Sequence, residues 1–168
     1  MSRRVRRYIG ILAAIFAYYF VHEGAHLVYA LALGVFKRIN FMEIGMQIDV
    51  YSEAMTNTQM GVFCLLGAAA TFVFGDALVL LCGKICKAES KLFRAAMYYI
   101  TIAMLLLDPL YLSLLCGFFG GGDMNGIALL VPEAAARISF GILAVINALV
   151  FWRAVLPKYT EAWNKYNK

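Results

Sequence analysis

The two histidines of this chain lie four residues apart, with a glutamate directly after the first: His22, Glu23 and His26, in the stretch YYFVHEGAHLVYALALGVF. On a helix, residues i and i+4 lie on the same face, and Glu23 projects about 100° away from His22, within reach of the same cavity. This HExxH arrangement suits Zn²⁺, because one rigid helix offers two imidazole nitrogens while the glutamate takes a proton from metal-bound water. The spacing predicts a zinc site with Glu23 as its general base.

The motif lies inside an apolar segment, where ionisable groups are costly. A structural alternative is a pair of histidines hydrogen-bonded between helices, with a glutamate that snorkels. Three ionisable groups within five residues of a membrane helix cost on the order of several kcal/mol on insertion scales. An arrangement with this insertion cost is hard to maintain without a function, so we favour a metal site.

A catalytic zinc site needs a third protein ligand, and the sequence has no third histidine. The carboxylate candidates are Asp76, Asp108 and Asp123, and more distantly Asp49 and Glu43. His22 and Asp108 each lie about 14 residues, or about 21 Å, from the start of their apolar segments, which favours Asp108. Asp123 reaches the same depth only if the breakers Pro109 and Gly117 to Gly122 turn the chain back. Spacing leaves both aspartates open.

The composition is that of a membrane protein. Hydrophobic residues make up 63% of the 168 residues, and the mean hydropathy of +0.76 exceeds what a soluble core can hide. Four apolar stretches, residues 8–36, 59–83, 92–119 and 134–156, are long enough to cross the bilayer. We therefore expect an all-α polytopic membrane protein, with about four transmembrane helices in a single domain over residues 1–168. The lipid bilayer is its first predicted partner, and the cell membrane its expected location.

The charged residues predict an orientation. Lys and Arg number 15 against 10 for Asp and Glu, and they cluster in SRRVRR, GKICKAESKLFR and the carboxyl-terminal tail. The positive-inside rule then places both termini in the cytoplasm. The clusters flank apolar runs, which gives no support to a nucleic-acid partner. The first segment is too long for a signal peptide, and the four cysteines, all in or beside apolar segments, are expected to pack in the core.

The loop after the first segment has its own pattern. In RINFMEIGMQIDVYS, β-branched and aromatic residues nearly alternate around Gly45, which predicts a short hairpin lying over the outer mouth of the helices. An ordinary extracellular loop is the alternative. If the hairpin forms, its edge near residues 39–51 offers a place where an extended peptide can add as a strand.

Taken with these features, the sequence resembles the membrane-embedded zinc metalloproteases of the site-2 protease family. The resemblance covers most of the chain: HEGAH, the β-like segment after it, the small residues of LLGAAATF, and an aspartate after the glycine-rich break in GGGDMNGI. LLLDPLY stands where the family usually has an Asn-x-x-Pro pattern, and GAAAT where Gly-Pro is more usual.

The resemblance implies an intramembrane zinc endopeptidase that cleaves membrane-associated protein or peptide substrates. It favours Asp123 over Asp108 as the third zinc ligand. Asn125 is a candidate for lining the water path or holding the oxyanion; Asn147 is another, although a hydrogen bond between helices is the better interpretation there. The competing functions are a non-catalytic membrane chaperone or partner-binding homologue, and a metal-ion or proton transporter. The sequence leaves the substrate and the oligomeric state open.

Overall fold

Six helices and one β-hairpin make up the computed structural model, which describes residues 1–42, 45–118 and 121–165. In chain order they are α1 (Arg3–Ala32), β1 (Phe36–Phe41), β2 (Met46–Val50), α2 (Asn57–Ile85), α3 (Lys91–Leu110), α4 (Asp123–Ile127), α5 (Glu133–Val150) and α6 (Leu156–Lys165). A π-helical turn, Tyr111–Leu115, extends α3, and a second, Phe151–Val155, joins α5 to α6. The predicted architecture of four long helices with a hairpin after the first is confirmed.

Four helical segments are long and apolar enough to cross a membrane: Arg3–Ala32, Asn57–Ile85, Lys91–Leu115 and Glu133–Lys165. Their outward faces carry large apolar side chains. Phe16, Phe20 and Leu80 are 75%, 77% and 85% exposed. A soluble monomer rarely leaves apolar surface of this extent in water. The helices and their surface therefore indicate a membrane protein.

Polar capping residues determine where α1, α2 and α3 begin. Ser2 accepts a hydrogen bond from the backbone N–H of Val5, and Ser90 accepts one from Phe93. Thr56 forms a capping box with Gln59, in which each side chain binds the other residue's backbone N–H. Such caps satisfy donors that the first turn leaves unpaired. For this reason these three helices begin up to five residues before the predicted apolar segments.

The predicted ends of the segments need larger corrections. The first helix stops at Ala32 and not at residue 36, because Gly34 adopts a left-handed conformation with φ of +69°. Phe36 is already the first residue of β1. The third segment, predicted to reach residue 119, is helical only to Leu115. The fourth continues past the predicted end at residue 156 to Lys165, because α6 buries Tyr159 and Ala162 against the other helices.

The hairpin lies alongside α1, and the prediction that it covers the outer mouth of the helices is wrong. β1 and β2 pair antiparallel, with Ile39 opposite Ile48. The backbone N–H of Ile48 donates to Glu23 Oε2 at 3.1 Å, and Gly45 near the tip packs against the Tyr19 ring. Tyr19 is 13 residues, or about 20 Å, before the end of α1. The sheet therefore folds back along the helix to the depth of the histidine pair.

Pro109 lies inside α3 without ending it. A proline lacks the N–H that would bind the carbonyl four residues earlier, which here is Leu105. Asn147 of α5 donates its side-chain Nδ2–H to that carbonyl oxygen at 2.8 Å. This bond satisfies the freed acceptor and ties α3 to α5. Asn147 is therefore a helix-bridging residue, which confirms the interpretation that the sequence favours.

Two clusters of buried apolar side chains hold the helices together. One includes Phe63, Ala68, Leu112 and Met124, and its Phe63 ring packs against His26. The other includes Leu78, Met104, Val155 and Tyr159 and lies toward the end of the fold where the chain terminates. The four cysteines, Cys64, Cys82, Cys86 and Cys116, are free and buried, which confirms that they pack in the core.

Candidate metal centre

His22, Glu23 and His26 are all buried on the inward face of α1. Their ligand atoms lie within 4.8 Å of one another. The two imidazole rings make an edge contact, with centroids 4.9 Å apart. The i, i+4 spacing therefore does bring both rings to one place, with the glutamate beside them.

Asp123 reaches this pair from the far end of the chain. Its Oδ2 atom lies 3.0 Å from His22 Nε2 and 3.5 Å from His26 Nε2. The turn into α4 contains Gly121 and Gly122, both with positive φ, and Asp123 is the first residue of the helix. Burial would raise the pKa of Asp123, but its hydrogen bonds with the two histidines outweigh burial and hold that pKa below its usual range. This balance favours the ionised carboxylate.

Asp108 contacts the same His22 ring at its other nitrogen. The Asp108 carboxylate lies 3.2 Å from His22 Nδ1. Tyr18 donates its hydroxyl to Asp108 Oδ1 at 2.5 Å, and Thr71 donates a short hydrogen bond to Oδ2. Asp108 is thus buried in a hydrogen-bonded network that orients one imidazole. The Nδ1 atom of His26, in contrast, has no hydrogen-bond partner among the described residues.

The backbone of β2 positions Glu23. Oε2 of this buried carboxylate accepts the N–H of Ile48. In an antiparallel pair, the backbone N–H groups along a strand point alternately toward the partner strand and away from it. The N–H of Ile48 binds Glu23, so it is one of those that point away from β1. The outer edge of β2 therefore faces the site.

Gly67 of α2 lies directly against the histidines. A Cβ atom at this position would stand 2.6 Å from both His22 Nε2 and His26 Nε2. The missing side chain leaves room beside the two nitrogens that face Asp123. Thr71, one turn further along α2, is also small, which lets this part of α2 approach α1 closely.

The donor set fits Zn²⁺. A tetrahedral ion with ligands at about 2.0 to 2.1 Å places its ligand atoms about 3.3 to 3.4 Å apart. The separations of 3.0 and 3.5 Å between Asp123 Oδ2 and the two histidine nitrogens bracket that spacing. Two imidazoles and one carboxylate also leave a fourth position for water, as catalytic zinc sites require. His22, His26 and Asp123 are the residues that could hold the ion.

The other sequence candidates lie elsewhere or have other partners. Asp76 is on the exposed face of α2. Asp49 forms an ion pair with Arg38 at 2.8 Å across the hairpin, and Glu43 falls outside the described residues. Asn125 is exposed on α4, where its side chain packs over Gly121.

Sequence reasoning missed four contributors to the site: Tyr18, Thr71, the N–H of Ile48, and Gly67. Tyr18 could have been found from the sequence, because a residue four positions before His22 lies on the same face of the helix as His22. Gly67 and Thr71 are also four residues apart, within LLGAAATF, so they share one face of α2. The N–H of Ile48 had no side-chain signal, because every residue except proline carries the same donor.

No protein-family model matches the chain, and comparisons with curated proteins and with solved structures give no significant match.

Proposed function

We propose that this chain is an intramembrane zinc metalloprotease that hydrolyses peptide bonds of membrane-associated proteins. One observation carries the proposal: the Nε2 atoms of His22 and His26 converge on Asp123 Oδ2, with the Glu23 carboxylate beside them. These groups lie on or between helices long enough to cross a membrane. A soluble peptidase could use the same donors, so the surrounding apolar helices are what assign the reaction to the bilayer.

In this proposal His22, His26 and Asp123 hold Zn²⁺, and Asp108 orients the His22 ring. The ion, when bound, supplies a Lewis acid for the scissile carbonyl and lowers the pKa of a coordinated water. Glu23 accepts a proton from the attacking water and returns it to the leaving amine. Because Ile48 binds Oε2, the oxygen that takes the proton is Oε1.

The outer edge of β2 supplies a place for the substrate. A protease cleaves extended backbone, and an extended segment gains main-chain hydrogen bonds by pairing with an exposed strand edge. The edge that carries the Ile48 N–H faces Glu23. A substrate strand beside β2 would therefore lie next to the general base. Asn125, on the helix that begins with Asp123, remains the candidate for contacting the oxyanion.

The proposal includes membership of the site-2 protease family and a multi-pass topology. What supports the family is the order of features along the chain: the histidine pair, a hairpin, a helix with a small-residue face, and a late aspartate after glycines. What supports cytoplasmic termini is the excess of Lys and Arg in SRRVRR and in the tail.

Metal analysis and a cleavage assay test the proposal together. The purified full chain should hold a single zinc ion, and His22→Ala or His26→Ala should lose it, since too few donors remain. Glu23→Gln keeps the shape of the side chain but removes the base, so it should retain zinc and lose cleavage of co-expressed single-span substrates. Zinc retained at full stoichiometry by either histidine variant would disprove the site. Cleavage by Glu23→Gln at the wild-type rate would disprove the mechanism.

A further inference from the structure

A basic cavity of about 390 Å³ lies where the first turns of α1 and α3 meet the end of α6. Its cationic lining residues are Arg3, Arg6, Arg7, Lys91 and Arg94. None of its described lining residues is a carboxylate. The cavity is therefore a concave site that carries charge of a single sign.

The helices around the cavity add to that charge. α1 and α3 both begin here, and the N-terminus of a helix carries a partial positive charge that favours anions. Neither helix has an acidic residue in its first turn. Arg94 is fully buried, and its Nη1 donates to the backbone carbonyls of Ala88 and Glu89. An anion bound between Arg3, Arg7 and the two helix N-termini would be stabilised by their combined positive charge.

The cavity lies at the level of a membrane surface. Apart from Val5, the exposed large apolar residues of α1 all follow Arg7, beginning with Tyr8 and Ile9. Tyr98, Tyr99 and Trp163 also line the cavity, and tyrosine and tryptophan are enriched where helices leave the hydrocarbon layer. Phosphate groups of lipids lie at this depth, and basic pockets between transmembrane helices bind anionic head groups.

We propose that this cavity binds the phosphate group of an anionic phospholipid. Arg3, Arg6, Arg7 and Lys91 supply the charge. The aromatic rings supply an amphipathic wall, and the volume is within the range of ligand sites. Arg7 is 15 residues, or about 22 Å along α1, from His22. The lipid site is thus separate from the candidate metal centre and does not depend on the proposed protease function.

Lipid retention by the full chain tests this inference. The protein is purified in a nonionic detergent, and its binding of phosphatidylglycerol and of phosphatidylcholine is titrated by native mass spectrometry. The test variant is Arg7→Gln with Lys91→Gln, both exposed side chains that line the cavity. The matched control is Arg4→Gln with Lys84→Gln, two exposed cations that do not line it. Both variants remove the same charge.

We expect wild type to prefer phosphatidylglycerol, and the cavity variant to bind it about tenfold more weakly or worse, because each basic residue near a phosphate adds appreciably to binding. The control should change the affinity by less than about twofold, since charge outside the cavity acts only at long range. Equal losses in the two variants, or no preference for phosphatidylglycerol, would overturn the proposal.

A second titration distinguishes a lipid from a free anion. Glycerol 3-phosphate is added to the protein in phosphatidylcholine nanodiscs. Weak or no binding of this soluble compound supports the lipid head group as the ligand. Binding as tight as that of phosphatidylglycerol would show a soluble phosphate site and overturn the assignment to a lipid. Zinc content, measured in the same variants, should remain at the wild-type level.

Discussion

Asp108 and Asp123 contact the same imidazole ring, that of His22, at its two different nitrogens. Only Asp123 also approaches His26 Nε2, so it occupies the position of a shared ligand. Asp108 instead accepts hydrogen bonds from Tyr18 and Thr71 and fixes the orientation of the ring. Two aspartates at similar depth thus have different partners, and the difference is open to measurement.

Substitution of each aspartate should separate these roles. Asp123→Ala removes a ligand oxygen and should lose zinc and proteolysis together. Asp108→Asn keeps the shape of the side chain and should retain zinc, with an affinity roughly 10- to 100-fold lower because an orienting partner is weakened. Competition with a chelator of known affinity measures both effects. Normal zinc binding by Asp123→Ala, with loss in Asp108→Asn, would reverse the assignment.

Gly67→Ala tests whether the space beside the histidines is required. The added Cβ would lie 2.6 Å from two imidazole nitrogens, so the rings must move. We expect loss of zinc and destabilisation by about 1 to 3 kcal/mol, the usual range for overpacking. Thermal unfolding in detergent and metal analysis measure the two effects.

The same helix offers a control for this substitution. A Cβ at Gly83 would meet nothing within 4 Å. Gly83→Ala should therefore keep zinc and raise stability by up to about 1 kcal/mol, because alanine favours the helix more than glycine does. If Gly67→Ala also keeps zinc and is stabilised like Gly83→Ala, the space beside the histidines is not required.

At the scale of elements, α3 depends on α5 to satisfy the carbonyl of Leu105 that Pro109 leaves without a donor. Asn147→Leu should therefore destabilise the chain by roughly 1 kcal/mol, near the upper range for hydrogen bonds between membrane helices. In the Pro109→Ala background a backbone N–H becomes available to the same carbonyl, so the cost of Asn147→Leu should shrink. A double-mutant cycle of unfolding free energies measures this coupling, and additive effects would refute it.

At the scale of the whole molecule, the four candidate membrane-spanning helices predict that the two termini lie on the same side. The arginines before Tyr8 and the lysines of the tail predict that this side is the cytoplasm. Fluorescent-protein fusions at either terminus should therefore fluoresce, and alkaline phosphatase fused at the same points should be inactive. An active phosphatase at one end would contradict four crossings, and at both ends would invert the topology.

The sequence by itself determined the features that depend on local pattern. Apolar runs indicated four long helices, and the i, i+4 spacing of His22 and His26 put both rings on one face, because helical periodicity is a property of the backbone. The alternation around Gly45 indicated the hairpin in the same way. Helix ends were less well predicted, because they depend on caps and turns such as Thr56 and Gly34, which the apolar pattern does not include.

The tertiary structure decided how these local pieces meet. Helix geometry placed Asp108 at the depth of His22, and it does lie there, but only packing shows that it contacts Nδ1 while Asp123 approaches Nε2. The hairpin could have covered the helix ends; instead, the hydrogen bond from Ile48 to Glu23 places it alongside α1. Such choices depend on contacts between residues as far apart as His22 and Asp123. Local propensity carries no information on contacts of that separation, so only the packed fold selects among them.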